Sequence, residues 1–130
     1  MRDEDEGTLT IVMPLYTRSL REALDGGELT DTHKLKIAYN AASGLRYLHS
    51  RNPPILHRDM KSYNIMLDKA GDAVIVDFGL SKVKQSSMSR STGVVVGTYC
   101  WMAPEIMDAK PYTAAADIYS FGVEIGRAHV

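Results

Sequence analysis

Residues 56–67 read LHRDMKSYNIML: His57, Arg58, Asp59, Lys61 and Asn64 crowd together, with Ser62 and Tyr63 among them, between apolar flanks. Apolar flanks root such a stretch in a core, so a rigid scaffold holds its polar groups in place. A second apolar run, DAVIVDFGL at residues 72–80, follows DKAGD at 68–72, whose Gly and Asp residues suit a hairpin turn. Both runs are expected as short strands bracketing loops, with Asp77 at a strand end beside the polar cluster.

Upstream, LTIVMPL (residues 9–15) is apolar and β-branched until Pro14, and reads as a strand running into a linker. SLREAL (19–24) is a short helix with Ser19 as N-cap, stopped by Gly26 and Gly27. The strongest helical signal lies beyond Thr30 or Asp31, either of which can cap. Leu35, Ala38, Ala41, Ala42, Leu45 and Leu48 recur there at three- and four-residue spacing, until Asn52-Pro53-Pro54 forbids continuation. Residues 84–93 (KQSSMSRSTG) are small, polar and aperiodic and read as a mobile loop. TAAADIYSFGVE starts a last helix, with Thr113 as cap and Ala116, Tyr119 and Val123 among its apolar positions. This order predicts an α+β fold without repeats.

The 130 residues suit a single domain, and 15 basic against 16 acidic side chains leave a net charge of −1. That balance argues against nucleic acid as a partner. The acidic run at 3–6 reads as a solvated turn, and no apolar run is long enough for membrane insertion in this segment. Cys100 is the only cysteine, which fits a cytoplasmic, intracellular setting, and it is expected as a buried or half-buried small apolar residue.

Transfer of a terminal phosphoryl group requires a carboxylate to accept the proton of the attacking hydroxyl, oxygen ligands for Mg²⁺, and a nearby cation. Asp59 suits the first role, Asn64 and Asp77 the second, and Lys61 the third. Oxygen-only ligands in small number favour Mg²⁺ over zinc.

These residues carry a resemblance. HRDMKSYN (57–64) resembles the catalytic loop of eukaryotic protein kinases, DFG (77–79) their magnesium loop, and GTYCWMAPE (97–105) the end of their activation segment. DIYSFGV (117–123) resembles the start of their large central helix. The resemblance implies a partial protein-kinase-like fold, hinge plus N-terminal part of the mainly helical large lobe. The hinge would span 13–16, the activation segment 77–105 and the central-helix start 114–124.

It also implies ATP and Mg²⁺ as cofactors and protein substrates as partners. Asp59 would be the base, Lys61 the γ-phosphate contact, and Asn64 and Asp77 the metal ligands. Met13 would be the gatekeeper, Pro14 and Tyr16 would meet adenine by their backbone, and Met66 would lie under it. Arg58 would pair with a phosphate on the activation loop, at Ser86, Ser87, Ser89, Ser91 or Thr92. Thr98 would face the substrate, and His57 would pack against Phe78. Lys61 two positions after Asp59, and the wording of the later motifs, resemble the tyrosine-kinase-like group, most of whose members act on serine and threonine. The alternative is a pseudokinase or scaffolding module without catalysis.

Upstream of Met13 this chain carries no Gly-rich phosphate loop and no strand lysine of the V-A-I-K type. The chain alone is therefore expected to be inactive, with apolar helix faces uncovered. Residues 125–130 depart from the family pattern. EIGRAHV reads as GAG ATC GGA AGA GCA CAC GTC, which resembles sequencing-adapter DNA, so a non-native tail is expected there.

Overall fold

The computed structural model describes residues 12–77, 82–83 and 99–128. Residues 9–11 of the strand expected over 9–15 lie outside them, and residues 12–15 form no regular element. The acidic run at 3–6 and the loop at 84–93 also lie outside the described residues.

β1 (Arg18–Ser19) leads directly into α1 (Leu20–Asp25) through a reciprocal cap. The Ser19 hydroxyl accepts the Glu22 N–H at 3.2 Å, while the Glu22 carboxylate accepts the Ser19 N–H at 2.7 Å. The Ser19 N–H, and after it the Ser19 hydroxyl at 2.8 Å from the same oxygen, hold the Glu22 carboxyl below the usual carboxylate range. Gly27, at φ +66°, then turns the chain out of the helix.

α2 (Asp31–His49) is capped by Thr30, whose Oγ1 accepts the His33 N–H at 3.3 Å. It buries Ile37, Ala41, Leu45 and Leu48. Leu35 and Ala42, expected in that stripe, are exposed, Leu35 at 68%. At about 100° per residue both fall well off the line through the buried four, and Ile37 takes the place assigned to Leu35.

β2 (Ile55–Leu56) leads into the polar loop, β3 (Ile65–Leu67) leaves it, and β4 (Ala73–Ile75) returns antiparallel to β3. Asp68 closes the hairpin: its Oδ1 accepts the N–H groups of Ala70 and Asp72 at 2.8 and 2.9 Å. Burial alternates along β3 and β4, with Ile65, Leu67, Ala73 and Ile75 inward and Val74 outward. β1 adds to the other side of β3, in register Arg18 with Leu67 and Ser19 with Met66. β5 (Lys82–Val83) pairs with β2 in a separate two-stranded sheet.

The core lies where α1 and α2 cover this hairpin, around Leu20, Ala23, Ile37, Ala41, Leu45, Met60 and Ile65. Gly44 permits the approach of α2 to β4, since a Cβ there would sit 3.0 Å from Ile75 Cδ1. Lys36 and Asn40 also tie α2 to Asp72 at the hairpin's end, at 2.8 and 3.0 Å.

A 3₁₀ turn (Tyr99–Trp101) and α3 (Pro104–Met107) precede α4 (Ala114–Arg127). Cys100 is exposed, against expectation, because Trp101 takes the buried place on that turn. In α4 the buried positions include Ala116, Asp117 and Ser120, while Tyr119 is 45% exposed and Val123 half-buried. Its inward face is partly polar because those polar groups find partners, so apolar spacing misassigns it.

Candidate active site

The loop between β2 and β3 is held from a distance by Asp117 of α4, which is fully buried. Its Oδ2 accepts the His57 N–H at 2.9 Å and faces His49 Nε2 at 2.8 Å. Its Oδ1 accepts the Arg58 N–H at 2.9 Å and the Tyr112 hydroxyl at 2.8 Å. A buried carboxylate demands such a full set of donors, and here they come from α2, the loop and the approach to α4. Burial first, then the Asp117 charge, pushes the Tyr112 hydroxyl pKa well above its ordinary value, so it stays a neutral donor.

Asp117 also explains a strained backbone. Arg58 adopts φ +72°, a left-handed conformation that costs a non-glycine residue on the order of 1–3 kcal/mol. Two consecutive N–H groups converging on one carboxylate offset that cost and fix the loop's direction. Inside the loop, the Asp59 N–H donates to His57 Nδ1 at 3.2 Å. Nδ1 is therefore unprotonated, and Nε2–H donates to the Val76 carbonyl at 3.0 Å. His57 is thus a buried strut joining the loop to the end of β4. Its expected contact with Phe78 lies outside the described residues.

This frame presents Asp59, Lys61 and Asn64 together. Asn64 Nδ2 donates to the Asp59 backbone carbonyl at 2.8 Å and to its Oδ2 at 3.0 Å. Lys61 Nζ lies 3.0 Å from the same Oδ2. Among the described residues, Asp59 Oδ1 is buried without a hydrogen-bond partner, which leaves one strong acceptor unsatisfied. With its nitrogen committed to Asp59, Asn64 keeps its side-chain oxygen as an acceptor. The Val76 N–H donates to the Asn64 carbonyl at 2.9 Å, so Asp77, the next residue, follows directly from the segment paired with Asn64. Asp77 takes φ +64°, a second left-handed residue beside the cluster. An amide oxygen and a carboxylate are hard donors, the type that suits Mg²⁺, so the residues present fit that ion.

The adenine-contact residues assigned by resemblance are placed unevenly. The Thr17 N–H and Oγ1 donate to the Leu67 carbonyl at 2.9 and 2.7 Å, and Ser19 pairs with Met66. Half-buried Tyr16 precedes this strand, and half-buried Met66 lies opposite Ser19 within it. Met13 and Pro14 lie exposed on the irregular chain before it and are not drawn into this pairing. Ser86, Ser87, Ser89, Ser91, Thr92 and Thr98 lie outside the described residues.

Three residues of the site carry no role in the sequence-based expectations: Asp117, Tyr112 and His49. The available signal was an aspartate opening DIYSFGV on the helix face that also carries Ala116 and Ser120. Buried charge on such a face implies donors elsewhere in the chain.

A mixed helix-and-sheet fold built around a loop of this composition defines a phosphotransferase-like domain. The protein kinase domain family matches residues 3–127, and the chain belongs to the protein kinase family. It is 44% identical over 109 residues to the serine/threonine-protein kinase CTR1 of Arabidopsis thaliana, covering 84% of this chain and 12% of the relative. A probable serine/threonine-protein kinase of Dictyostelium discoideum is 38% identical over 121 residues, 90% of this chain and 12% of that protein. A putative serine/threonine-protein kinase/receptor of Acanthamoeba polyphaga mimivirus is 42% identical over 107 residues, 81% of this chain and 6% of its own. The chain thus spans about an eighth or less of the length of these relatives. Among the described residues, no helix is long and apolar enough to cross a membrane.

Proposed function

We propose that this chain is the hinge and early large-lobe part of an ATP-dependent protein kinase that phosphorylates serine and threonine hydroxyls of protein substrates. The observation that carries the reading is the state of Asp59. One carboxylate oxygen is committed to Asn64 and Lys61, while the other is buried and has no partner among the described residues. A carboxylate held in this way is prepared to accept a hydrogen bond donor such as a substrate hydroxyl.

In this mechanism Asp59 orients the hydroxyl and takes its proton as the oxygen bonds to the terminal phosphorus of ATP and ADP leaves. Lys61 supplies positive charge where negative charge spreads over the transferring group. Asn64 and Asp77 would hold Mg²⁺, which supplies charge neutralisation at the phosphates. Asn64 has a second task, fixing the Asp59 rotamer through its two donated hydrogen bonds. Tyr16 and Met66 would border adenine, with Met13 and Pro14 completing the hinge at 13–16. Arg58 would receive a phosphate on the activation segment at 77–105, and Thr98 would face the substrate.

The chain by itself is proposed not to turn over, since it lacks a Gly-rich loop and strand lysine ahead of Met13. Residues 125–130 are proposed to be a non-native tail, on the adapter-like codons that spell them. A single cysteine supports a cytoplasmic setting. The decisive experiment uses the full-length protein. Magnesium-dependent transfer of labelled γ-phosphate to serine or threonine, abolished by Asp59→Asn, is the expected result. Transfer at the wild-type rate by Asp59→Asn would overturn the reading.

A further inference from the structure

Arg58 is gripped at two points by groups that meet in Tyr112. Its backbone N–H shares Asp117 Oδ1 with the Tyr112 hydroxyl, at 2.9 and 2.8 Å. Its guanidinium carbon lies 5.1 Å from the centroid of the Tyr112 ring, within reach of a cation–π contact. Among the described residues, no carboxylate forms an ion pair with Arg58, although Asp59 is its neighbour in sequence. The ring is therefore the structure's one described contact that can direct this cation. An arginine fork left without a carboxylate keeps its donors for an incoming anion, and its rigid plane stacks well on an aromatic face.

Tyr112 is suited to this task for a second reason. Its hydroxyl is tied to the same buried carboxylate that fixes the loop's left-handed turn, so ring and loop backbone form one body. A residue anchored only by packing could swing away from the guanidinium. This one is held at its far end.

We propose that Tyr112 is a positioning residue that aims the Arg58 guanidinium, so that the kinase's response to activation-segment phosphorylation depends on the Tyr112 ring. This rests on the reading of Arg58 as the phosphate-pairing residue. It adds the element that determines how well that pairing is preorganised.

The test separates ring electronics from shape. In the full-length kinase, position 112 is replaced by phenylalanine and by phenylalanines of increasing ring fluorination, which keep the outline but progressively cancel the negative ring face. For each variant, kcat/KM is measured for the phosphorylated and the phosphatase-treated enzyme, and the ratio of the two is taken. General loss of stability cancels in that ratio, and thermal melting confirms that each variant is folded. Arg58→Ala serves as the reference.

The ratio is expected to fall about three- to tenfold from phenylalanine to the fully fluorinated ring, and to approach one in Arg58→Ala. A ratio that stays flat across the series, while Arg58→Ala abolishes it, overturns the role of Tyr112 and leaves Arg58 as the phosphate partner. A ratio that survives Arg58→Ala overturns the phosphate reading of Arg58, and the Tyr112 proposal with it.

Discussion

The carboxylate of Asp117 accepts the backbone N–H of Arg58 at 2.9 Å across 59 residues of chain. A helix that begins at Ala114 thereby dictates the path of the loop that carries His57 and Arg58. Asp117→Ala strips acceptors from the N–H groups of His57 and Arg58 and removes the restraint on a left-handed arginine. Hydrogen bonds to a charged group are worth about 1.5–3 kcal/mol each, so the full-length kinase should lose at least about 3 kcal/mol in urea unfolding. Activity should fall more than tenfold. A loss of stability under about 1 kcal/mol would show that the loop holds its turn without Asp117.

Lys61 lies against the same oxygen of Asp59 that Asn64 touches, so its charge is already held at the centre of the cluster. Lys61→Met keeps most of the volume and removes the charge. The expected result is a fall in kcat of about a hundredfold with KM for ATP changed only a few-fold, the pattern of an interaction strongest in the transition state. Steady-state kinetics of the full-length enzyme checks this. A change confined to KM would place Lys61 in ground-state binding.

Asn64 holds the Asp59 rotamer through two donated hydrogen bonds, and in the proposed mechanism it would also offer an oxygen to Mg²⁺. Asn64→Ala removes both. The magnesium concentration giving half-maximal rate should rise at least about tenfold, and kcat should fall as well. Chelation of the metal should abolish transfer in the wild type and be reversed by added Mg²⁺. An unchanged magnesium requirement in Asn64→Ala would exclude it as a ligand.

The raised pKa of the Tyr112 hydroxyl has a consequence at high pH. In the unfolded chain this hydroxyl ionises near pH 10, whereas in the folded protein it stays protonated well above that. Above about pH 10 the folded state binds more protons than the unfolded state, so stability falls as pH rises. Tyr112→Phe should lose up to about one proton of that dependence, while being less stable than wild type at neutral pH by the lost bond to Asp117. Urea unfolding midpoints of both proteins between about pH 8 and pH 11 provide the comparison. Identical slopes would mean that the hydroxyl ionises freely in the folded state.

The uncovered apolar side chains make a solution prediction for the isolated chain. Leu35 and Tyr39 on α2, and Ile118 and Tyr119 on α4, are all exposed. Apolar surface of this kind promotes association. The 130-residue chain is expected to self-associate in size-exclusion chromatography at micromolar concentration, where the full-length kinase elutes without such aggregates. A monodisperse monomer would contradict this.

Much of the candidate site was legible along the chain because its residues are close in sequence. Asp59, Lys61 and Asn64 fall within six residues, and one short loop presents them with no need to know what packs behind it. The caps at Ser19 and Thr30 and the Asp68 turn are equally local, each closed by a bond spanning two to four residues. Spacing of this kind carries its own geometry, so the elements could be anticipated where the chain supplies both partners within one turn.

What the tertiary structure alone decided are the contacts between distant segments. Helical spacing names a set of candidate apolar faces, but which one turns inward depends on the neighbour, so Ile37 is buried where Leu35 was expected. Trp101 likewise leaves Cys100 outside, and the inward face of α4 holds Asp117 and Ser120 in place of Tyr119. A buried carboxylate has no periodic signature, because its donors come from His49, His57, Arg58 and Tyr112, up to 68 residues away. The residue types of the loop at 57–64 were written in the chain. Its strained, rigid shape is set only when α4 brings Asp117 against it, because burial and desolvation give that charge its hold on the backbone.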